Sequence, residues 1–180
     1  GSLNAMIASM PSAFHKLAYR FTGASAYYTR EKYLALLGNH TFVHHDLGYS
    51  LPFHDASVDY VYSSHFLEHL PRKDALNLIA ESHRVLKPGG IVRVVVPDLE
   101  YAVSLYQAGR KDEMLRQYFF VEDDDSYYAR HKYMYDHASL ATLLTHAGFK
   151  DVQRQSFQTG RTPDSWAFAT SERTKSRVRV

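Results

Sequence analysis

Residues 42–100 read FVHHDLGYSLPFHDASVDYVYSSHFLEHLPRKDALNLIAESHRVLKPGGIVRVVVPDLE. This stretch contains short apolar runs at Phe42-Val43, from Val58 to Tyr62 and from Ile91 to Val96, and polar residues follow each run. Short runs that are rich in β-branched and aromatic side chains and bounded by turn formers are typical of β-strands. We therefore predict that these three runs are strands of one sheet.

A helix is predicted between the second and third strands, over residues 72–87. Leu76, Ile79, His83 and Leu86 recur at the spacing of one helical face, and Pro88-Gly89-Gly90 follows as a stop and tight turn. Strand, helix and strand in this order form a crossover unit. The second and third strands should therefore be parallel.

Polar side chains lie where each of these predicted strands ends. Open parallel sheets bind their ligands beyond the carboxyl ends of the strands. The side chains at these ends are Asp46, Ser63, Ser64, His65 and Asp98. The sequence therefore predicts a ligand site at this edge of the sheet.

Further elements are predicted on either side of the quoted stretch. Arg93 is the one charged residue of its apolar strand, so it needs a partner or a route to solvent. Helical spacing and stop signals predict helices over 14–21, 27–37, 99–108 and 111–120, and one that Asp136 caps. Residues 149–157 should be a strand, and the alternating basic tail 173–180 a strand at or near an edge.

Three segments together resemble the class I methyltransferases that use S-adenosylmethionine, in the type 11 methyltransferase group. They are LPFHDASVDYVYSSHFLEHL (51–70), ESHRVLKPGGIVRVVVPDLE (81–100) and HKYMYDHASLATLLTHAGFKDV (131–152). The resemblance extends over residues 40–157. It implies an α/β fold, a three-layer sandwich around a Rossmann-like, mostly parallel sheet, and S-adenosylmethionine as the cofactor.

The resemblance also implies roles for individual residues near the predicted strand ends. Asp46 matches the acidic position that accepts a hydrogen bond from the adenine amino group, and Leu47 would contact the edge of the ring. Ser63, Ser64 and His65 match positions that border the cofactor and the acceptor. We therefore assign these five residues to cofactor binding.

Two histidines are the candidate catalytic residues. His131 lies in a segment, residues 127–135, that helps to line the acceptor site in related enzymes, and imidazole exchanges protons near neutral pH. It is our candidate for the base on the acceptor side. His69 is either a second chemical group or a satisfied structural histidine, and the sequence leaves both open. The aromatic residues of 127–135 are either core or pocket.

The glycine-rich G-x-G-x-G signature of the family does not occur upstream of Asp46. Only Gly1, Gly23 and Gly38 lie there, and no two of them have G-x-G spacing. Such glycines let the backbone close around the methionine part of the cofactor. We therefore expect a fold truncated on its N-terminal side. The helices there either pack on the sheet, or cover its exposed edge, or exchange with a second subunit in a homodimer.

Three function classes follow. The first is methyl transfer from S-adenosylmethionine to an oxygen or nitrogen atom of a small-molecule acceptor. The second is a catalytically inactive methyltransferase-like domain that acts as a binding or partner subunit, which the missing glycine loop favours. The third is a metallohydrolase, because residues 65–69 spell H-x-x-E-H with Glu68 as base. A helix over residues 65–69 would be interrupted by Leu70-Pro71 after one turn. We therefore assign no metal ligands.

The composition of the chain bears on other kinds of partner and site. The chain has 180 residues, a formal net charge of +2 and no cysteine, which gives no support for a nucleic-acid partner, a disulfide or a thiolate metal site. No apolar run approaches the length of a membrane span. Gly1 to Ala5 resembles the remnant of an expression tag. We predict a single cytoplasmic methyltransferase-like domain from Met6 to Val180.

Overall fold

A computed structural model describes residues 6–7, 10–21, 25, 28–41, 43–119, 130–156 and 177–179 of the protein. The chain divides into two compact units, Gly1–Asp46 and Leu47–Val180. This division lies inside the range for which the sequence predicts a single domain, and that grouping stays a prediction. The predicted tag remnant lies outside the described residues. No helix in the described part of the chain is long and apolar enough to cross a membrane.

The first unit contains two helices in the places where helical spacing predicts them, α1 (Ser12–Phe21) and α2 (Arg30–Asn39). Helix α2 begins after Thr29, whose hydroxyl accepts a hydrogen bond from the backbone N–H of Lys32 at 3.3 Å. The helix therefore starts later than predicted, since Tyr28 precedes the cap. The buried side chains of this unit are Ile7, Tyr33 and Leu37.

The strands described in the second unit form one mixed sheet. They are β1 (Val58–Ser64), β2 (Leu86–Pro97) and β3 (Arg177–Arg179), in the order β1-β2-β3. Strands β1 and β2 are parallel, which confirms the prediction from the crossover unit. Strand β3 is antiparallel to β2 and ends the order, so the edge strand predicted in the tail is confirmed over these three residues.

Strand β2 begins before the predicted turn and contains it as a bulge. Val58 pairs with Leu86 and Tyr60 with Ile91, so residues 87–90 all lie opposite Asp59. Gly89 has a φ of 80°, and a Cβ atom on Gly90 would meet Lys87 O at 2.9 Å. Glycine is therefore required here for both conformation and space.

The helices of the second unit follow the strands. They are α3 (Arg72–Val85), α4 (Leu99–Gln107), α5 (Lys111–Met114), which continues into a π-helical turn (Leu115–Phe119), and α6 (His137–His146). A 3-10 turn, Leu67–His69, follows β1. Asp136 caps α6 as predicted: it accepts from the N–H of Ser139 at 2.7 Å, and the Ser139 hydroxyl accepts from the N–H of Asp136.

The buried face of α3 differs from the predicted one. Leu76 is 44% exposed, and His83 is exposed as well. Ala75 and Ser82 are buried instead, and the Ser82 hydroxyl donates to Leu78 O at 2.7 Å. Ile79 and Leu86 of the predicted face are buried as expected. A buried serine whose hydroxyl bonds within the helix does not count as apolar, so hydrophobic spacing predicted the buried face only in part. The core that this face joins comprises Leu67, Ala75, Leu78, Ile79, Val94, Val96, Tyr135, Leu140, Leu143 and Leu144.

Two predicted strands do not form in the described residues. Val43 is not in a strand, and Phe42 lies outside the description; residues 149–156 are also irregular, and Phe157 is not described. The edge of β2 at Val95–Pro97 is occupied by β3, so segment 149–156 does not pair there. It supplies Ser156 O instead, which accepts a hydrogen bond from buried Arg93 at 3.2 Å. The expectation that Arg93 needs a partner is confirmed.

The segment that precedes β1 is attached to α3. The N–H groups of Ala56 and Ser57 donate to Arg84 O and Val85 O at 3.0 and 2.9 Å. The N–H of Leu51 donates to a carboxylate oxygen on α3 at 2.7 Å. Helix α3 therefore holds this segment through hydrogen bonds at two points.

Candidate functional site

The chain turns sharply where β1 ends. Ser63 and Ser64 pair with Val94 and Val95 of β2, and the N–H of His65 donates to Val95 O at 2.9 Å. His65 has a φ of 52°, in the left-handed region that side chains other than glycine adopt less often. This conformation directs the chain away from the sheet and into the 3-10 turn.

Glu68, in that 3-10 turn, is completely buried. Its relative exposure is 0%, and neither carboxylate oxygen has a hydrogen-bond partner among the described residues. His65 Nδ1 lies 3.3 Å and His69 Nε2 lies 3.9 Å from its Oε1 atom. A buried carboxylate without hydrogen bonds is unfavourable unless a cation or proton accompanies it. The turn therefore carries a negative group whose compensation comes from its neighbours.

The backbone of Glu68 attaches a distant segment to this turn. Its carbonyl oxygen accepts hydrogen bonds from the N–H groups of Lys132 and Tyr133 at 2.7 and 3.2 Å. His131 is thereby placed beside His69, and the centroids of the two rings lie 4.9 Å apart at an interplanar angle of 61°. The two candidate catalytic histidines of the sequence are thus neighbours.

Backbone carbonyl groups fix the protons of both imidazoles. His69 Nδ1 lies 3.3 Å from Arg130 O, and His131 Nδ1 lies 2.7 Å from Tyr118 O. A carbonyl oxygen only accepts, so each Nδ1 must carry the hydrogen. The Nε2 atoms of the neutral rings then hold unshared lone pairs. The carbonyl of Tyr118 belongs to the π-helical turn, a feature often found at functional sites.

The electrostatics of His131 favour the neutral form. Burial lowers the pKa of its imidazole, while the hydrogen bond to Tyr118 O and the charge of Glu68 oppose this shift in part. Because burial is the largest of these effects, the pKa of His131 lies below its ordinary value, which favours the neutral ring. It can therefore accept a proton at Nε2.

An arginine and two tyrosines pack beside the cluster. The guanidinium carbon of Arg72 lies 4.5 Å from the ring centroid of Tyr133 and 5.6 Å from that of Tyr135. Tyr135 is completely buried, and burial raises the pKa of its hydroxyl. The nearby Arg72 opposes this rise in the pKa. These side chains form an apolar and cationic wall next to Glu68.

The structure brings some of the predicted site residues together and not others. His65, His69 and His131 surround Glu68. The Ser63 hydroxyl is buried and has no partner within the described part of the chain, so the carboxyl end of β1 fits a polar group of a ligand. The Asp46 side chain is exposed and ends the first unit.

Leu47 and Asp98 serve the fold of the second unit. Leu47 packs against the main core. Asp98 accepts a hydrogen bond from the N–H of Glu100 at the start of α4, and it forms an ion pair with Arg154 at 2.8 Å. Asp98 is therefore a capping residue. The cofactor contacts assigned to Asp46, Leu47, Ser63, Ser64 and His65 remain predictions.

Sequence reasoning missed Glu68 as the centre of the cluster and gave no role to Arg72, and it considered Tyr135 only as part of the aromatic stretch 127–135. Glu68 had entered only as the base of a metallohydrolase. The available signal was its position between two histidines in a turn that Pro71 interrupts. Its burial depends on the segment around Lys132, far away in the chain, and local patterns do not report such contacts.

The comparisons with known proteins agree with this arrangement. Residues 13–94 match a family model described as a methyltransferase domain. The chain is 32% identical over 133 residues to the demethylmenaquinone methyltransferases of two Staphylococcus epidermidis strains, covering 70% of this chain and 54% of each relative. Over these residues the chain is similar to methyltransferase domains. It spans about half the length of these curated relatives.

A solved structure supports the methyltransferase fold. It is a complex that contains the Trm112 methyltransferase activator of Haloferax volcanii, and the match has 20% identity and a TM-score of 0.51. The match covers 88% of this chain and 64% of the solved chain. The resemblance to methyltransferases found in the sequence is confirmed.

Proposed function

We propose that the protein transfers a methyl group from S-adenosylmethionine to an oxygen or nitrogen atom of a small-molecule acceptor. The observation that carries this proposal is the position of His131, whose Nδ1 lies 2.7 Å from Tyr118 O and whose ring packs against His69 in the cluster after the carboxyl end of β1. Methyl transfer to oxygen or nitrogen requires loss of a proton from the acceptor. His131 has the protonation state and tautomer of a proton acceptor.

The expected cofactor residues border the same cluster. His65 contacts Glu68 directly, and Ser63 and Ser64 precede it on β1. Together with Leu47 of the same unit, Ser63, Ser64 and His65 would hold the adenosyl part of the cofactor. The bound cofactor supplies an electrophilic methyl group on a sulfonium centre. The protein then has to align the acceptor and to receive its proton.

Two neighbours would stabilise His131 once it is protonated. Tyr118 O accepts from Nδ1 and keeps the ring oriented. The buried carboxylate of Glu68 would pair with the positive charge that forms on the imidazolium. The arrangement has the logic of a base that a hydrogen-bond acceptor orients and a carboxylate supports.

Cofactor binding is the first test. We expect calorimetric titration with S-adenosylmethionine, and with its demethylated product, to give micromolar dissociation constants that Asp46→Ala weakens. Asp59→Ala removes an exposed carboxylate that pairs with Lys87 and is the matched control. Absence of binding at millimolar ligand would reject the proposal for this chain.

Acceptors can then be screened by transfer of a radiolabelled methyl group. The name of the Staphylococcus epidermidis relatives indicates demethylmenaquinone as their acceptor, so quinols belong in the panel beside phenols and amines. For an acceptor that is methylated, His131→Gln should lower kcat by about 100-fold or more, as expected for loss of a general base. An unchanged kcat would remove His131 from the mechanism.

One observation favours a second candidate, a domain that acts as a binding or partner subunit. Among the described residues β1 pairs with β2 alone, so its other edge is available to a further strand. The structurally similar chain is found in a complex with an activator. A monomer in light scattering, together with cofactor binding, would disfavour this candidate, whereas a stable dimer without cofactor binding would support it.

A further inference from the structure

We infer that Glu68, His69 and His131 form a binding site for a divalent first-row transition metal ion, with Zn²⁺ as the expected occupant. Each residue offers a ligand atom, and these three atoms all lie within 4.8 Å of one another. Two of them, Glu68 Oε1 and His69 Nε2, are 3.9 Å apart. Ligands at zinc distances of about 2.0–2.2 Å are separated by roughly 3.4 Å in a tetrahedral site, so small side-chain movements would close this one.

The positions of the imidazole protons support the inference. Both rings donate Nδ1–H to a backbone carbonyl, His69 to Arg130 O and His131 to Tyr118 O. Histidines that bind metals usually donate their other ring N–H in this way, which fixes the tautomer and the orientation of the ring. The atoms left for a ligand are the two Nε2 lone pairs. An Nε2 atom that holds a lone pair is a hydrogen-bond acceptor, so it cannot satisfy the Glu68 carboxylate by hydrogen bonding.

The carboxylate provides the second line of support. Glu68 is completely buried, and both of its oxygens lack hydrogen-bond partners among the described residues. His65 Nδ1 lies 3.3 Å from Glu68 Oε1, but the His65 side chain is 37% exposed. The Oε2 atom of Glu68 still has no hydrogen-bond partner among the described residues. A cation between the carboxylate and the two Nε2 atoms would compensate the buried charge and use all three groups.

The donor set defines the class of ion. Two imidazoles and one carboxylate suit zinc and its neighbours, whereas Mg²⁺ and Ca²⁺ prefer oxygen ligands. Three protein ligands leave a coordination position open for water or for an oxygen of an acceptor. This set differs from the H-x-x-E-H hypothesis, in which His65 and His69 were the ligands and Glu68 the base.

A bound ion would change how the cluster assists methyl transfer. It would take the His131 lone pair that otherwise accepts a proton. It would instead lower the pKa of an acceptor hydroxyl bound to it. Metal binding itself does not depend on the proposed methyl transfer, because it involves neither cofactor nor acceptor.

Zinc binding should be measured on protein freed of any purification tag and treated with a chelator. We expect equilibrium dialysis against Zn²⁺ alone, with metal analysis, to give a single ion per chain. Loss of a residue that hydrogen-bonds to a metal ligand costs about 10–100-fold in metal affinity, so loss of the ligand itself in His131→Gln should cost about 100-fold or more. His146→Gln, an exposed histidine on α6, should bind zinc like the wild type.

A measurement on the unmodified chain separates a ligand role from a folding defect. With ¹⁵N-labelled histidine, Zn²⁺ should shift the Nε2 resonances of His69 and His131 and leave their Nδ1 atoms protonated. Failure of the wild-type protein to bind zinc would overturn the inference. So would equal affinity in folded His131→Gln protein, or coordination through Nδ1.

Discussion

The second unit contains two clusters in which carboxylates lie beside basic side chains, and the two differ in how the carboxylate oxygens are hydrogen-bonded. The arginine cluster comprises Glu81, Arg84 and Asp55, and the histidine cluster comprises Glu68, His69 and His131. Glu81 and Glu68 both lie on helical turns, and both contact basic side chains within a few residues. Only Glu81 has its oxygens fully hydrogen-bonded by described residues.

The arginine cluster is a complete structural unit. Arg84 donates from Nε and Nη2 to the two oxygens of Glu81 at 2.9 and 2.7 Å, and from Nη1 to Asp55 at 2.6 Å. The same guanidinium donates to the carbonyl groups of Leu51 and Phe53. These bonds lower the pKa of Glu81, with the side-chain hydrogen bond from Arg84 as the largest cause.

The histidine cluster has the opposite character. Its carboxylate is less exposed than that of Glu81, 0% against 15%, yet neither of its oxygens has a hydrogen-bond partner among the described residues. The comparison shows that charged residues close together in sequence can have different roles in the structure. A cluster whose carboxylate oxygens are all hydrogen-bonded stabilises the fold. A more deeply buried cluster whose carboxylate oxygens lack hydrogen bonds can take up a cation or a proton.

The largest contrast should come from added zinc. At about 100 times its Kd, Zn²⁺ should raise the free energy of unfolding of the wild type by about 2.7 kcal/mol, because it binds the folded state. Glu68→Gln should show no such gain, whereas Glu81→Gln should keep it. Urea titrations with and without zinc measure both. An equal gain in the Glu68→Gln protein would erase the distinction between the clusters.

Removal of the guanidinium should give the next effect. Arg84→Met removes the side-chain donors of Glu81 and leaves the carbonyl groups of Leu51 and Phe53 without their guanidinium donor. We therefore expect a loss of about 2 kcal/mol in the free energy of unfolding. Lys87→Met is the control, because the exposed Lys87–Asp59 pair should contribute less than about 1 kcal/mol. Similar values for the two variants would mean that the arginine cluster is only a surface ion pair.

Acidification should destabilise the protein through the saturated carboxylates. The pKa values of Glu81 and of the helix cap Asp136 are both lowered in the folded state, by hydrogen bonds from Arg84 and from Ser139 respectively. Their contribution is complete above the ordinary carboxylate pKa and is lost as the pH falls through the lowered values. Urea titrations at descending pH should show a shallower loss for Glu81→Gln. Parallel curves would contradict the assignment.

The smallest effect is expected for Glu68→Gln in metal-free protein. The substitution removes a buried charge that has no described hydrogen bond, and an amide N–H₂ can donate to the free Nε2 atoms. The free energy of unfolding should therefore change by no more than about 0.5 kcal/mol. A loss near 2 kcal/mol would show that Glu68 is already compensated, which would make the two clusters alike.

Local signals predicted much of the fold. Asp136 identified the start of α6, and the apolar runs around β1 and β2 identified a parallel pair. Local signals did not predict which segments would pair as neighbouring strands of the sheet. Strand β3 occupies the edge of β2, and a strand expected at 149–156 is irregular, because which segment wins an edge depends on contacts distant in sequence.

The candidate site was predicted in its members but not in its organisation. His65, His69 and His131 were singled out from sequence, and the structure groups them. The group is centred on Glu68, whose backbone carbonyl accepts hydrogen bonds from the distant residues Lys132 and Tyr133. Which ring nitrogen carries a proton follows from the carbonyls of Arg130 and Tyr118, and no side-chain pattern encodes it.

The attachment of the segment before β1 to α3 has a kinetic consequence. The amide hydrogens of Leu51, Ala56 and Ser57 are bonded to the C-terminal half of that helix rather than to the sheet. Their exchange with deuterium in solvent therefore requires opening of the helix end or detachment from it. These three amides should exchange together with those of the last turns of α3, so that an irregular stretch of chain shares the opening rate of a helix.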